Sequence, residues 1–243
     1  MPLDKIFKPA KNYELIRLGR SYDGGYLIGK NSINNSEYLI SMGLDLDWSF
    51  EEDFKKINNK INIQCFDDKL DKKFIFKNIV IQILFILFNQ NLKYLISLVK
   101  NYFNFNIFLK KVKYEKKKIT YGDVLKIQKN INNIFFKIDI EGSEYRILNE
   151  LIKIKNKITG IVIEFHDFDL HQSKIKNFIN KIGLKLIHIH PNNFGGVDKF
   201  GNPYLLELTF CKEPVVLNGA NILPHKSDMK NNSHSNDINL TFA

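Results

Sequence analysis

Apolar positions fall into two kinds of pattern along this chain. Short continuous runs, Tyr38 to Gly43, Ile61 to Phe66, Phe135 to Ile138 and Thr159 to Phe165, are bounded by turn residues and predict buried strands. Between them, three- and four-residue spacing predicts helices entered near Ser49, over Ser143 to Lys153, and over His171 to Ile182, where Gly183 stops the last one. Ser49 is placed to cap the first, ahead of Glu51, Glu52 and Asp53, and Thr120 to cap a short helix after it. Leu184 to His190 alternates like a strand ending at Pro191-Asn192-Asn193, and Tyr204 to Cys211 is a last strand after a glycine-rich loop. With no helix between these two, the expected architecture is one α/β domain over 1–243, its sheet mostly parallel with an antiparallel final strand.

Three regions flank this alternation. At 13–36, two short apolar runs around Asp23-Gly24-Gly25 predict a hairpin. Helical spacing over 74–104 predicts one or two helices forming a cap or insertion, followed by a strand at Phe105 to Val112 and a solvated charged turn at Lys113 to Lys118. The apolar run Ile79 to Phe88 contains Gln82 and stops at Asn89, short of the roughly 20 residues a spanning helix needs. It reads as a buried helix or one flank of a substrate cleft rather than an anchor. The segment 215–243 is polar and reads as a tail.

The chemistry sits at strand ends. Phe135 to Ile138 breaks into Asp139-Ile140-Glu141-Gly142, poor core material at the place where open α/β sheets bind ligands. Ile161 to Phe165 ends at His166-Asp167, and the first strand ends at Gly43. Asp67 closes the second strand at a spacing from Gly43 that suits an acidic residue holding ribose hydroxyls. No G-x-G-x-x-G follows the first strand, so a nucleoside cofactor without phosphates fits better than a dinucleotide, and S-adenosylmethionine is the obvious one.

Charge modifies this picture less than its size suggests. The net charge is +10 and the pI about 9.3, yet only Arg17, Arg20 and Arg146 are arginines. Arginine is favoured for bidentate phosphate and base recognition, so no nucleic-acid partner is expected. Cys65 and Cys211 read as buried reduced thiols, consistent with a cytoplasmic protein. Met1 to Lys5 leads straight into polar sequence, with no leader or transmembrane segment expected.

Lys137 to Glu144, followed by Ile163-Glu164-Phe165-His166, resembles the signature of FkbM-type S-adenosylmethionine-dependent methyltransferases. Asp23-Gly24-Gly25-Tyr26, Ser41-Met42-Gly43 with Trp48 to Glu51, Phe66-Asp67, His188-x-His190 with Asn192-Asn193, and Leu206 to Phe210 resemble a branch of that group from bacterial surface-polysaccharide gene clusters. Leu223-Pro224, Asp228, Asn231-Asn232 and Asp237 to Phe242 extend the likeness into the tail, which is then expected to pack. The resemblance implies a class I Rossmann-like methyltransferase fold with seven strands, and O-methylation of a sugar hydroxyl on a nucleotide sugar or capsule unit. The loop after Gly43 departs from the common glycine-rich form.

On that resemblance His166 is the candidate general base, since an imidazole titrates near neutral pH. Asp139 and Glu141 are candidates for positioning, or for a divalent metal beside His166. The cofactor side is assigned to Ser41, Gly43, Asp45, Ser49, Glu51, Asp67 and Asp139. The substrate side is assigned to Asp23, Tyr26, Glu141, Glu164, His190, Asn192 and Asn193. An RNA or other small-molecule methyltransferase and a non-catalytic cofactor-binding module are the competing readings, and a homodimer stays open.

Overall fold

The computed structural model describes residues 2–86 and 92–243. Seven strands make one sheet: β3 (Tyr38–Met42), β4 (Asn62–Asp67), β5 (Lys113–Lys116), β6 (Ile134–Ile138), β7 (Ile158–Phe165), β8 (Lys185–Val197) and β9 (Pro203–Cys211), in the order β5-β4-β3-β6-β7-β9-β8. All pairings are parallel except those of β9, which is antiparallel to both neighbours. The predicted fold class is the observed one. β6 and β7 are buried at every position, which is why their sequences are mainly apolar on both faces rather than alternating, with Lys137 and Glu164 the charged exceptions.

One face is covered by α5 (Asp123–Ile127), α6 (Glu144–Lys153) and α7 (Phe168–Ile182), through residues such as Ile147, Leu151 and Phe178. The opposite face is covered by α1 (Lys30–Asn34), α2 (Ser49–Ile57), α3 (Lys72–Ile86) and α4 (Leu92–Leu109), with Phe50, Phe54, Ile75 and Leu98 buried. A separate antiparallel pair, β1 (Leu15–Leu18) and β2 (Tyr26–Gly29), lies over the same face. Its connection is longer than a tight turn and is pinned by Arg17, whose guanidinium donates to the Tyr22 carbonyl at 2.7 Å. The segment 215–243 packs along the body: Leu3 bridges Phe242, and Tyr13 bridges Val216.

Several local expectations are corrected. Phe105 to Val112 is not a strand; α4 continues to Leu109, because Phe105 and Phe108 share an inward helical face against Trp48. The strand is instead the charged stretch Lys113–Lys116, an edge strand, where exposed lysines guard an open hydrogen-bonding side. β8 does not stop at Pro191, which pairs with Leu206; β8 is the other edge, and an edge strand tolerates a residue without an N–H. Ser49 does not cap α2, since it lies inside the helix and its hydroxyl donates to Asp47. Nor does Thr120 cap α5, whose N-cap is Gly122; the Thr120 amide donates to Asp123. The run Ile79 to Phe88 is not a buried helix over its described part: Ile79 is buried, while Val80, Ile83 and Leu84 are exposed. Its remainder lies outside the described residues, among which no helix is long and apolar enough to cross a membrane.

Candidate active site

The chain runs outward from β3 to β5, then crosses back to start β6 on the other side of β3. Strand order therefore reverses between β3 and β6, and ligands of open α/β sheets bind beyond the carboxyl ends at such a point. A cleft of about 230 Å³ lies there. Seven carboxylates and five cationic side chains line it, although the whole chain carries +10. A basic protein has thus concentrated acid in its cleft.

Two features fix the floor. Gly43 has φ +84, and a Cβ on it would overlap the backbone carbonyl of Asp139. The β3 and β6 turns meet so closely that only glycine fits. At the next turn, Glu141 and Gly142 are consecutive left-handed residues, with φ +53 and φ +88, and they swing the Glu141 side chain outward at the cleft edge.

Asp67 is committed elsewhere than expected. One carboxylate oxygen accepts from the amides of Leu44 (2.9 Å) and Asp45 (3.0 Å), the other from Lys69 (2.8 Å) and Leu70 (2.7 Å). An ionised carboxylate has about four lone-pair sites, so none is left for a ribose diol. Asp67 ties the loops after β3 and β4 together, and the next residue, Asp68, is the exposed carboxylate facing the cleft. Asp67→Asn is expected to destabilise the fold by about 2–4 kcal/mol, since an amide cannot serve four donors and leaves buried N–H groups unpaired. A urea melt checks this; a midpoint unchanged from the parent would show that the four bonds matter little.

Ser41 and Glu51 are fully buried behind the cleft rather than on its surface, with the Ser41 hydroxyl donating to the Glu51 carboxylate at 2.5 Å. Burial pushes the Glu51 carboxyl upward against the pull of Lys137. Lys137, which opens the Lys137 to Glu144 motif but has no role assigned from the sequence, donates to the Gly43 carbonyl at 2.5 Å and stands 5.8 Å from the centre of the Tyr26 ring. Burial works against its charge, but Glu51, Asp139 and Asp47 outweigh that and hold its pKa above the ordinary value. Asp45 lines the cleft, and Ser49 is turned toward Asp47.

At the β6 and β7 ends, His166 meets three carboxylates. Its Nδ1 lies 3.1 Å from Glu144 Oε1, and its Nε2 lies 3.4 Å from Glu141 Oε2 and 4.0 Å from Asp139 Oδ1. Glu144 is fully buried, and the same oxygen accepts from the amides of Ile140 and Gly142, so this carboxylate is a fixed acceptor. With Nδ1–H donating to it, the neutral imidazole presents a lone pair at Nε2. Burial lowers the His166 pKa, but Glu144, Asp139 and Glu141 together raise it above the ordinary histidine value. Burial also raises the Asp139 carboxyl, despite Lys137 and His166, and the Tyr26 hydroxyl donates to it at 3.2 Å. Asp139 and Glu141 line the cleft; His166 stands immediately behind them. The signal for Glu144 was present, an acid three residues after Glu141 at a helix start, but only the fold shows that it turns inward.

The remaining expected substrate residues divide. Asp23 and Tyr26 line the cleft. Glu164, His190, Asn192 and Asn193 do not; they are buried in a polar band at the ends of β7, β9 and β8. Asn192 donates to Glu164 at 2.9 Å, and His190 Nε2 lies 3.0 Å from Asn231 of the tail. Asn193 accepts from the Asn232 amide at 2.7 Å and donates to the carbonyl of the same residue at 2.9 Å. Asn231 also reaches Glu207 at 2.8 Å and Asp23 at 3.2 Å, so the tail is joined to the cleft wall. Glu207, within the Leu206 to Phe210 motif but with no role assigned from the sequence, sits between Glu164 and His190 across the sheet. Burial pushes its carboxyl up to about 8, and burial likewise raises that of Glu164 far above the usual range, with Asp139 and Glu207 adding to it. As for a divalent ion at Asp139, Glu141 and His166, no group of three or more His, Cys, Asp or Glu among the described residues has metal-holding geometry.

No protein-family model matches this chain, and no curated protein does. Solved structures do resemble it. Precorrin-6y C5,15-methyltransferase from Geobacter metallireducens GS-15 is 12% identical, with 75% of this chain and 86% of that one covered at a TM-score of 0.39. A human methyltransferase 10 domain containing protein is 12% identical over 73% of this chain and 72% of its own, at 0.41. A fibrillarin/Nop5p complex is 9% identical over 73% of each, at 0.39. At such identities any assignment of chemistry rests on the cleft itself.

Proposed function

We propose that this protein is an S-adenosylmethionine-dependent methyltransferase acting on a hydroxyl of a sugar, presented as a nucleotide sugar or a surface-polysaccharide unit. The observation that carries the reading is the acid-rich cleft at the β3/β6 reversal in a chain of net charge +10. Excess carboxylate suits a sulfonium cofactor that is itself cationic, and it disfavours a pyrophosphate or a nucleic-acid backbone there. Of the two stretches that resemble FkbM-type motifs, 137–144 supplies part of the cleft lining, and 163–166 ends in His166 immediately behind Asp139 and Glu141. Bound cofactor would supply an activated methyl group.

On the cofactor side, Asp68 holds the ribose hydroxyls in place of the committed Asp67, beside the Gly43 turn. On the acceptor side, Asp23, Asp139 and Glu141 are hydrogen-bond acceptors for sugar hydroxyls, with the Tyr26 ring below them. His166 takes the proton of the attacking hydroxyl at Nε2, while Glu144 keeps Nδ1 protonated and the ring aligned. Glu164, Glu207, His190, Asn192 and Asn193 act indirectly, by holding the tail and the Asp23 loop against the cleft.

Calorimetry with S-adenosylmethionine, then a screen of nucleotide-activated sugars with a labelled methyl donor, tests the reading. Asp68→Asn is expected to weaken cofactor binding about tenfold, the loss of a charged hydrogen-bond acceptor. No heat with S-adenosylmethionine or its demethylated product would dismiss the enzyme altogether. Turnover of RNA with tight, salt-dependent binding would replace the sugar as substrate.

A further inference from the structure

The helices α3 and α4 form a pair whose inner sides are occupied. Ile75 and Ile79 of α3, and Leu98, Phe105 and Phe108 of α4, are buried in the core on that face of the sheet. Asn101 donates to the Leu46 carbonyl at 2.6 Å, tying α4 to the loop that walls the cleft.

The outer sides are apolar as well. On α3, Phe76, Val80, Ile83 and Leu84 recur at i, i+4, i+7 and i+8, and all are exposed, Leu84 at 62%. On α4, Leu92, Ile96, Val99, Phe103 and Ile107 keep one face and are exposed too, Phe103 at 71%. Each helix therefore has one apolar stripe spent on the core and a second that nothing described covers. Monomeric soluble proteins seldom display contiguous apolar surface of that extent unless it binds something.

Charge identifies the occupant. From residue 72 to residue 111 the sequence has seven lysines and no aspartate or glutamate, and all seven lysines are exposed. None forms an ion pair with a carboxylate among the described residues; Lys72 lies over the Tyr102 ring at 5.4 Å. A second copy of the chain would set lysine against lysine across a two-fold interface, with no acid on either helix to relieve it. An anionic lipid surface offers both things the patch needs, acyl chains for the apolar stripes and negative head groups for the lysines around them.

We infer that the outer face of α3 and α4 docks this protein onto an anionic lipid bilayer, lying in the interface rather than spanning it. Since α4 is joined to the cleft-walling loop, docking holds the cleft at the membrane surface.

Co-sedimentation of the full chain with vesicles tests this, comparing phosphatidylcholine alone with phosphatidylcholine containing about one third phosphatidylglycerol. The expected result is at least a tenfold preference for the anionic vesicles, weakened by salt and abolished by Leu84→Asp with Phe103→Asp. Lys93→Glu with Lys100→Glu, at exposed positions that no core packing uses, is expected to lose the same preference and serves if the first pair disturbs folding. Equal binding to both vesicles, or unaltered binding by the variants, overturns the inference. So does a stable dimer in ultracentrifugation that Leu84→Asp with Phe103→Asp dissociates, because the occupant would then be a second copy. Calorimetry with S-adenosylmethionine on the same variants reads the cleft separately, so failure of lipid docking and failure of the enzymatic reading give different results.

Discussion

His166→Ala is expected to lower kcat by roughly two to four orders of magnitude, the usual worth of a positioned acid–base group, while S-adenosylmethionine binds as in the parent. The imidazole does not itself line the cleft, and Asp139 and Glu141 stand between it and the cofactor side. The pH profile follows from its surroundings. Glu144, Asp139 and Glu141 outweigh burial and raise its pKa, so the neutral form that can accept a proton grows in only as pH climbs above the ordinary histidine range. The kcat limb is therefore expected to rise with pH to the alkaline side of about 6.5. Glu144→Gln removes the nearest anion and leaves only Asp139 and Glu141 to oppose burial, moving that limb to lower pH. A residue that merely supported the fold would lower activity without moving the limb. The stability linkage has the opposite sense: a raised histidine pKa stabilises the fold below the unfolded value, and the contribution disappears as pH rises through the folded one. Normal turnover by His166→Ala would remove it as the base, and Asp139, whose carboxyl is itself raised and faces the cleft, would take its place.

Gly43→Ala is expected to be the most damaging small change in the chain. A left-handed backbone costs an alanine about 1–2 kcal/mol on its own. Its methyl group would also overlap the Asp139 carbonyl, and backbone cannot turn aside as a side chain can. The Asp139 amide donates to the Met42 carbonyl at 2.9 Å, so moving one turn drags the other. Together these effects reach about 3–5 kcal/mol, a large part of the 5–15 kcal/mol by which domains are stable. Separating the β3 and β6 turns also opens the cleft, so cofactor affinity is expected to fall with stability. Urea melts and calorimetry on the same sample check both, and a variant within 0.5 kcal/mol of the parent would be falsified as a probe of that close approach.

How far the sequence alone reached is best judged from particular stretches. The short, mainly apolar runs at β3, β4, β6 and β7 determined parallel strands largely buried on both faces, because a strand covered on both faces has few polar positions to spare, Ser41, Lys137 and Glu164 being among those it keeps. The absence of a helix between the last two strands determined the antiparallel β9, since a short connection cannot cross over. Carboxylates and a histidine breaking those runs marked the strand ends where the cleft lies. Local pattern failed where two elements share one signal. Phe105 to Val112 is apolar and β-prone enough to read as a strand although Phe105 and Phe108 keep helical spacing, and Lys113–Lys116 looks like a turn until β4 is seen to pair with it. The apolar run at α3 says that both faces are hydrophobic, but not that only one of them finds a core.

The site divides in the same way. Residue types at Asp67, Glu144, Lys137, Glu207 and Asn193 were all legible, but which partner each serves was not. Four amides from two loops converge on Asp67, Glu144 turns inward to His166, and Asn193 holds a tail some forty residues downstream. A polar side chain acts on whatever lies within about 3 Å of it. Sequence order fixes which strand carries the group, but only the crossing of the chain over the sheet brings its partner within that distance.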